Sequence, residues 1–209
     1  MNHISVQNAR HRYIKMPLSP LPVLENYQEV VRSAILNRTG SPLLNGSVDH
    51  AAMITQEAFN NAKTSVRILS HKLHPDCYGK AGVLNAVKYF LADESHKVDI
   101  LVESSLWDPA NTFPWESHPL LGEIAASNRD MSGQVRVSRV PLKWAERYSF
   151  NFLIMDDYGF RFEEDRERPT AVAAFSPPNV KSPQVANLSG IFDRLWSDSE
   201  AIDYAKKQS

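Results

Sequence analysis

The chain is short of nearly everything that would assign it at a glance. It has one cysteine, Cys77, in 209 residues; an internal disulfide is excluded, a stapled secreted fold with it, and a reducing compartment is expected. It has almost no net charge, −1 from 23 basic and 24 acidic residues. That balance excludes a histone-like or polybasic nucleic-acid binder, while leaving room for a local basic patch that touches phosphates. No apolar run approaches the roughly 20 residues that cross a bilayer, and Met1 to Lys15 lacks the apolar stretch of a signal peptide. A cytoplasmic, unprocessed protein without a membrane partner is the expectation. The eight glycines are scattered, so no phosphate-cradling loop of the Walker or dinucleotide type is present. G-x-S-x-G and H-E-x-x-H are absent as well, as is any long internal repeat.

What is present is ordinary globular composition, 43% hydrophobic and 22% charged. The first 16 residues carry Arg10, Arg12 and Lys15 without an acid, and Pro17, Pro20 and Pro22 lead into a helical segment, Asn26 to Leu36. This arm reads either as a solvated tail or as a segment that docks on a partner or on nucleic acid. Gly40, Pro42, Asn45 and Gly46 then mark a loop. The organisation expected is a basic arm and helix over residues 1–45, followed by an α/β domain over 46–209.

Within that domain, Val48, Ala51, Ala52, Ala58, Phe59 and Ala62 recur at helical spacing behind Ser47, a natural N-cap. Val66 to Leu69 is a strand, and Val83, Leu84, Val87, Phe90 and Leu91 form one face of a second helix. Lys97 to Glu103 is a buried strand, and Trp107 to Pro119 a long loop rich in aromatics and proline. After a short helix, Leu120 to Ser127, come strands at Gln134 to Val140, Phe150 to Met155, Phe160 to Glu163 and Ala171 to Phe175. The second of these four, Phe150 to Met155, is nearly all apolar and belongs in the middle of a sheet. Ser182-Pro183 opens a last helix whose inward face is Val185, Leu188, Ile191, Phe192, Leu195 and Trp196. Strands that alternate with helices early and cluster late predict a mixed α/β sheet with helices on both faces.

The densest group of chemically versatile side chains is His71, His74, Asp76 and Cys77, just after the Val66 strand. Imidazole and thiolate suit zinc, but four ligands would need help from elsewhere, such as His50 or His118. No metal and no cofactor is the expectation; here the histidines satisfy backbone groups and Cys77 packs as a small apolar residue. The second group is Ser149-x-Asn151-x-x-x-x-Asp156.

Three strings together resemble the phospholipase D-like superfamily. They are Val66 to Glu103, with its strand, its helix ending Tyr89-Phe90-Leu91 and its second strand; Phe150 to Asp157, where that superfamily carries H-x-K-x-x-x-x-D; and the closing Ile191-Phe192-Asp193-Arg194-Leu195-Trp196. The resemblance covers roughly residues 47–200 and implies a phospholipase D-like fold. In active members the histidine attacks phosphorus, the lysine holds the phosphoryl oxygens and the aspartate supports a histidine. Here Ser149 stands at the histidine position and Asn151 at the lysine position, with Asp156 alone retained. The resemblance therefore implies fold without that chemistry, and Asp156-Asp157 reads equally as turn residues before Tyr158-Gly159. Single-repeat members pair as homodimers, so the resemblance also implies a two-fold dimer and a bacterial setting.

Arg136, Arg139, Lys143 and Arg147 stand against one acid, Glu146, and form the candidate phosphate contacts. Pairing with the acidic run Glu163, Glu164, Asp165 and Glu167 is the bland alternative. Arg161 needs a carboxylate of its own, with Asp157 or Glu163 near in sequence. Trp107, Phe113 and Trp115 serve either core packing or a protein contact. The functional expectation is a non-catalytic binding or scaffold subunit, dimeric, with a further protein partner and phosphate or nucleic acid as ligand. The alternative is an active phosphodiesterase or nuclease whose histidine is His71, His74 or His118.

Overall fold

The computed structural model describes residues 24–103, 114, 117–127, 129, 132–166, 168 and 170–202. The arm ahead of residue 24 and most of the Trp107–Pro119 loop, with Trp107, Phe113 and Trp115, lie outside the described residues.

The elements run α1 (Leu24–Asn37), β1 (Leu43–Asn45), α2 (Val48–Asn61), β2 (Ser65–Ser70), α3 (Pro75–Tyr78), α4 (Ala81–Phe90), β3 (Lys97–Glu103), α5 (Pro119–Ala126), β4 (Val135–Val140), α6 (Leu142–Ala145), β5 (Asn151–Met155), β6 (Gly159–Glu163), β7 (Ala171–Phe175), α7 (Pro183–Ser197) and β8 (Glu200–Ala201). The strands make one sheet in the order β1-β7-β6-β5-β2-β3-β4-β8. Pairs β2–β3 and β3–β4 are parallel, and the others are antiparallel. No helix among the described residues is long and apolar enough to cross a membrane.

Sequence alternation decides which face each strand presents. Val66, Ile68, Val98, Ile100, Val102, Leu153 and Met155 join Phe59, Val83, Val87, Leu121 and Ile124 in one core, which also takes in Tyr27, Val31 and Ile35 of α1. Leu69, Leu101, Phe152, Ile154 and Phe160 face the other way, onto Val185, Leu188, Phe192 and Leu195 of α7. Two cores on opposite sides of one sheet are what a period of two in the strands requires. Helix starts are set locally. Ser47 Oγ accepts from the His50 N–H at 3.1 Å, and Ser182 Oγ accepts from the Val185 N–H at 3.2 Å with Pro183 in the first turn.

The mixed α/β sheet with helices on both faces agrees with the sequence pattern, and β5 is as central as its apolar run requires. Four short elements carry no such pattern: α3, α6, β8 and β1. The last falls within the loop read from Gly40, Pro42 and Asn45; it is antiparallel to β7, with Leu43 beside Ala173. Residues 24–45 thus share one sheet and one core with the α/β elements from α2 onward.

The connection from α2 to β2 is fixed by Asp156, whose left-handed φ of 49° turns the chain out of β5. Its Oδ2 accepts from the Lys63 N–H at 2.8 Å, and its Oδ1 accepts from Thr64 N–H, Thr64 Oγ1 and Ser65 N–H, each at 2.9 Å. Asp156→Ala is expected to cost about 2–3 kcal/mol, since several bonds to one charged acceptor are lost. Asp156→Asn, which keeps an acceptor oxygen and tolerates the left-handed backbone, is expected to cost less. Urea denaturation of the two variants checks the order.

Candidate functional site

Parallel pairing sets Ser70 beside Val102 at the carboxyl ends of β2 and β3. One residue further on, His71 and Glu103 meet, with His71 Nδ1 2.7 Å from Glu103 Oε2. The Glu103 side chain is only 4% exposed and that of His71 24%, so a buried carboxylate holds a partly open imidazole. Arg166, after β6, donates to the same Glu103 oxygen and, at 3.2 Å, to the Ala145 carbonyl of α6. Its Nη1 also lies 3.0 Å from His71 Nδ1. A guanidinium has no acceptor, so the consistent arrangement has Nδ1–H donating to Glu103 and Arg166 spending its N–H on the carboxylate. Any chemistry of the imidazole then runs through Nε2.

On the other side of the same sheet end, β5 returns antiparallel to β2. Asn151 Oδ1 accepts the His71 main-chain N–H at 2.8 Å, and Asn151 Nδ2 donates to Glu163 Oε2 at 2.7 Å. Glu163 Oε1 accepts from Arg161 Nη2 at 3.1 Å, and Arg161 Nε donates to Asn45 Oδ1 at 2.9 Å. Arg161 is 6% exposed and Glu163 is its carboxylate, as a buried guanidinium requires. Above this network lies a cavity of about 150 Å³ lined by His71, Lys72, His74, Asn151, Arg161 and Arg166 among others. It is below the size of drug-like pockets and suited to a few waters or one oxyanion. Lys72 is exposed and makes no ion pair among the described residues. The loop into the cavity is strained: Leu73 is fully buried with φ 47°, a conformation that branched and bulky side chains avoid.

The site residues expected from sequence divide. His71, His74 and Asn151 come together at the cavity. Ser149 is exposed ahead of β5, and Asp156 sits at the far end of that strand, anchoring backbone. His118 is buried, with Nε2 2.7 Å from the Leu73 carbonyl, where it holds the strained loop from beneath. Three of the four basic candidates are paired with acids other than those of the run after β6. Arg136 makes two bonds to Asp99, at 2.7 and 2.8 Å; Arg139 pairs with Glu200; and Lys143 reaches Asp198 at 3.3 Å. The ladder puts Asp99 opposite Arg136, a proximity that linear spacing hides. Arg147 lies over the rings of Trp144 and Tyr148, 5.6 and 5.9 Å from their centroids. Among the described residues, no group of three or more His, Cys, Asp or Glu could hold a metal. Cys77 is buried, which pushes its thiol upward. Glu103, Glu163 and Arg166 were not recognisable as one network; the signal was their position at strand ends, where ligands gather in α/β sheets.

A family model described as a domain of unknown function (DUF7931) matches residues 47–206. The chain belongs to that family. No curated protein matches its sequence. Among solved structures it is similar to TrmBL2, an archaeal chromatin protein described as showing a novel mode of DNA binding, at 16% identity over 85% of this chain and 60% of that one, with a TM-score of 0.51. It is also similar to phosphatidylserine synthase of Haemophilus influenzae Rd KW20, at 12% identity over 80% of this chain and 40% of that one, TM-score 0.51. NucT from Helicobacter pylori gives 12% identity over 78% and 99%, TM-score 0.50. The chain thus spans about 60% and 40% of the first two. The fold of this DUF7931 chain is phospholipase D-like.

Burial drives the His118 imidazole below its usual 6.5, with the Leu73 carbonyl opposing in part. The unfolded chain therefore takes up this proton first as pH falls, and the stability that His118 contributes is present above about 6.5 and lost below it. His50 is shifted the same way by burial. His118→Ala is expected to lower stability at pH 7.5 by at least about 1 kcal/mol, for the lost bond, and to flatten, without abolishing, the decline between pH 7 and 5.5. Thermal melts across that range test both.

Proposed function

We propose that this chain is a phosphodiester-binding protein that has given up the hydrolytic chemistry of the superfamily it resembles and acts as a binding or scaffold subunit. The observation that carries this is the state of Asn151. Where the resemblance puts a lysine to hold phosphoryl oxygens, both ends of the asparagine amide are occupied, by the His71 main chain and by Glu163. Ser149, at the place of the nucleophile, is exposed and has no hydrogen-bonded base among the described residues. What remains at the strand ends is Arg166 and Lys72, joined by His71 when its ring also carries a proton on Nε2, around a cavity of oxyanion size. These are donors suited to a phosphate.

The similar structures support the same ligand chemistry, one being described for its DNA binding and another named as a phosphatidylserine synthase. Of the four basic candidates, Arg147 follows α6, whose Ala145 carbonyl holds Arg166, and it is retained as an outer phosphate contact. A two-fold dimer and a bacterial setting belong to this reading, with the superfamily resemblance as their support; a further protein partner and a cytoplasmic setting belong to it as well, the latter supported by the single cysteine.

Isothermal titration with inorganic phosphate tests the cavity. Wild type is expected to bind, and Arg166→Gln and His71→Gln to weaken binding by about tenfold or more, the effect of removing one hydrogen bond to a charged group. For an oligonucleotide, affinity is expected to fall with rising salt as counterion release requires; a flat response would sink the reading.

One observation favours a second reading, a phosphodiesterase that uses His71. The 2.7 Å contact to buried Glu103 orients the imidazole as a carboxylate orients a general base. Nitrophenolate release from bis(p-nitrophenyl) phosphate by wild type, lost in His71→Ala, would replace the first reading with this one.

A further inference from the structure

Beside the cavity, on the α7 side of the sheet, lies a strip of rings. The β2–β5 ladder pairs Leu69 with Phe152; two steps on, the same register sets His71 opposite Phe150. Phe150 and Phe152 point to the α7 side, as their packing in that core shows, and His71 follows Arg67 and Leu69 in alternation onto the same side. Phe150 meets Tyr148 edge-on at 5.5 Å and Phe162 at 5.3 Å, and Tyr148 stacks on Trp144 at 5.8 Å with 29° between planes. All four rings are only half-buried, and Leu142 beside them is 62% exposed. The strip and the cavity share a wall, because the Ala145 carbonyl of α6 holds Arg166.

The charge on this strip is as informative as its rings. Lys143 and the Trp144 indole N–H are both spent on Asp198. Arg147, by contrast, lies 5.6 and 5.9 Å from the ring centroids of Trp144 and Tyr148 and has no acidic partner among the described residues. Planar apolar faces with an uncompensated guanidinium, next to donors that suit a phosphate, match a ligand that alternates planar bases with anionic linkages. A duplex keeps its base faces within its own stack; only an unpaired base has a face to offer.

We propose that Trp144, Tyr148 and Phe150 form a stacking platform for an unpaired nucleobase, so that the phosphodiester held at His71 and Arg166 is one linkage of a single-stranded nucleic acid. This rests on the phosphate reading of the cavity. Arg147 lies across the platform and contacts the neighbouring phosphate. The strand crosses α6 from the platform to the cavity.

The test is fluorescence anisotropy of a labelled oligothymidylate, with inorganic phosphate titrated in parallel and the same oligonucleotide annealed to its complement. Wild type is expected to bind the single strand more tightly than the duplex and more tightly than phosphate. Tyr148→Leu, which keeps apolar volume, is expected to weaken the single strand by about tenfold, the usual loss for one stacked base, and to leave phosphate binding unchanged. Arg147→Gln, on the surface and safe for folding, is expected to weaken the single strand and lower its salt dependence. Phosphate binding with oligonucleotide affinity indifferent to both variants, or equal for duplex and single strand, would overturn the platform and leave the cavity standing. Failure of wild type to bind phosphate at all would overturn both.

Discussion

The return of β5 against β2 is the constraint on which the site depends. β2 and β3 run parallel and end together, which brings His71 to Glu103. β5 begins where they end and runs back between β2 and β6, which delivers Asn151 to the His71 main chain. A slip of one residue in β5 would turn Asn151 toward α7 and Phe152 toward α2, exchanging polar and apolar side chains between the faces. The apolar residues of β5 split between two cores, so burial on both sides holds the register. Asp156 ties the opposite end of the strand to the start of β2.

Electrostatically the network is built from shared carboxylates. Glu103 serves His71 and Arg166, and Glu163 serves Asn151 and Arg161. The Glu103, Arg161 and Glu163 side chains are 4%, 8% and 13% exposed, so each ion is tolerable only because its partners are in place. With His71 neutral, the two acids and two arginines cancel. An incoming anion therefore gains little from net charge at the network itself and more from donors at the cavity mouth, where Lys72 is exposed.

The range of each interaction decided how much was legible in the sequence. The long helices and the central strands have periods that survive in one dimension, so α2, α4, α7, β3 and β5 were plain. β1, three residues beside Gly46, has no period to read and exists because β7 offers it a ladder. At the site, His71 and Asn151 could be singled out by residue type. Their junction with Glu103 and Arg166 could not, because it spans 32 and 95 residues and is created by strand order alone. The same holds for Arg136, whose partner Asp99 is 37 residues away and adjacent only across the β3–β4 ladder.

Both margins of the sheet are short. Among the described residues the outermost strands are β1, of three residues, and β8, of two. Each leaves little backbone for a neighbouring chain to extend, the usual defence against open-ended stacking of sheets. Along these two short strands, a partner, whether another copy or a different chain, meets side chains more than free backbone. Its affinity is accordingly open to adjustment one residue at a time, which strand addition along a continuous edge would not allow.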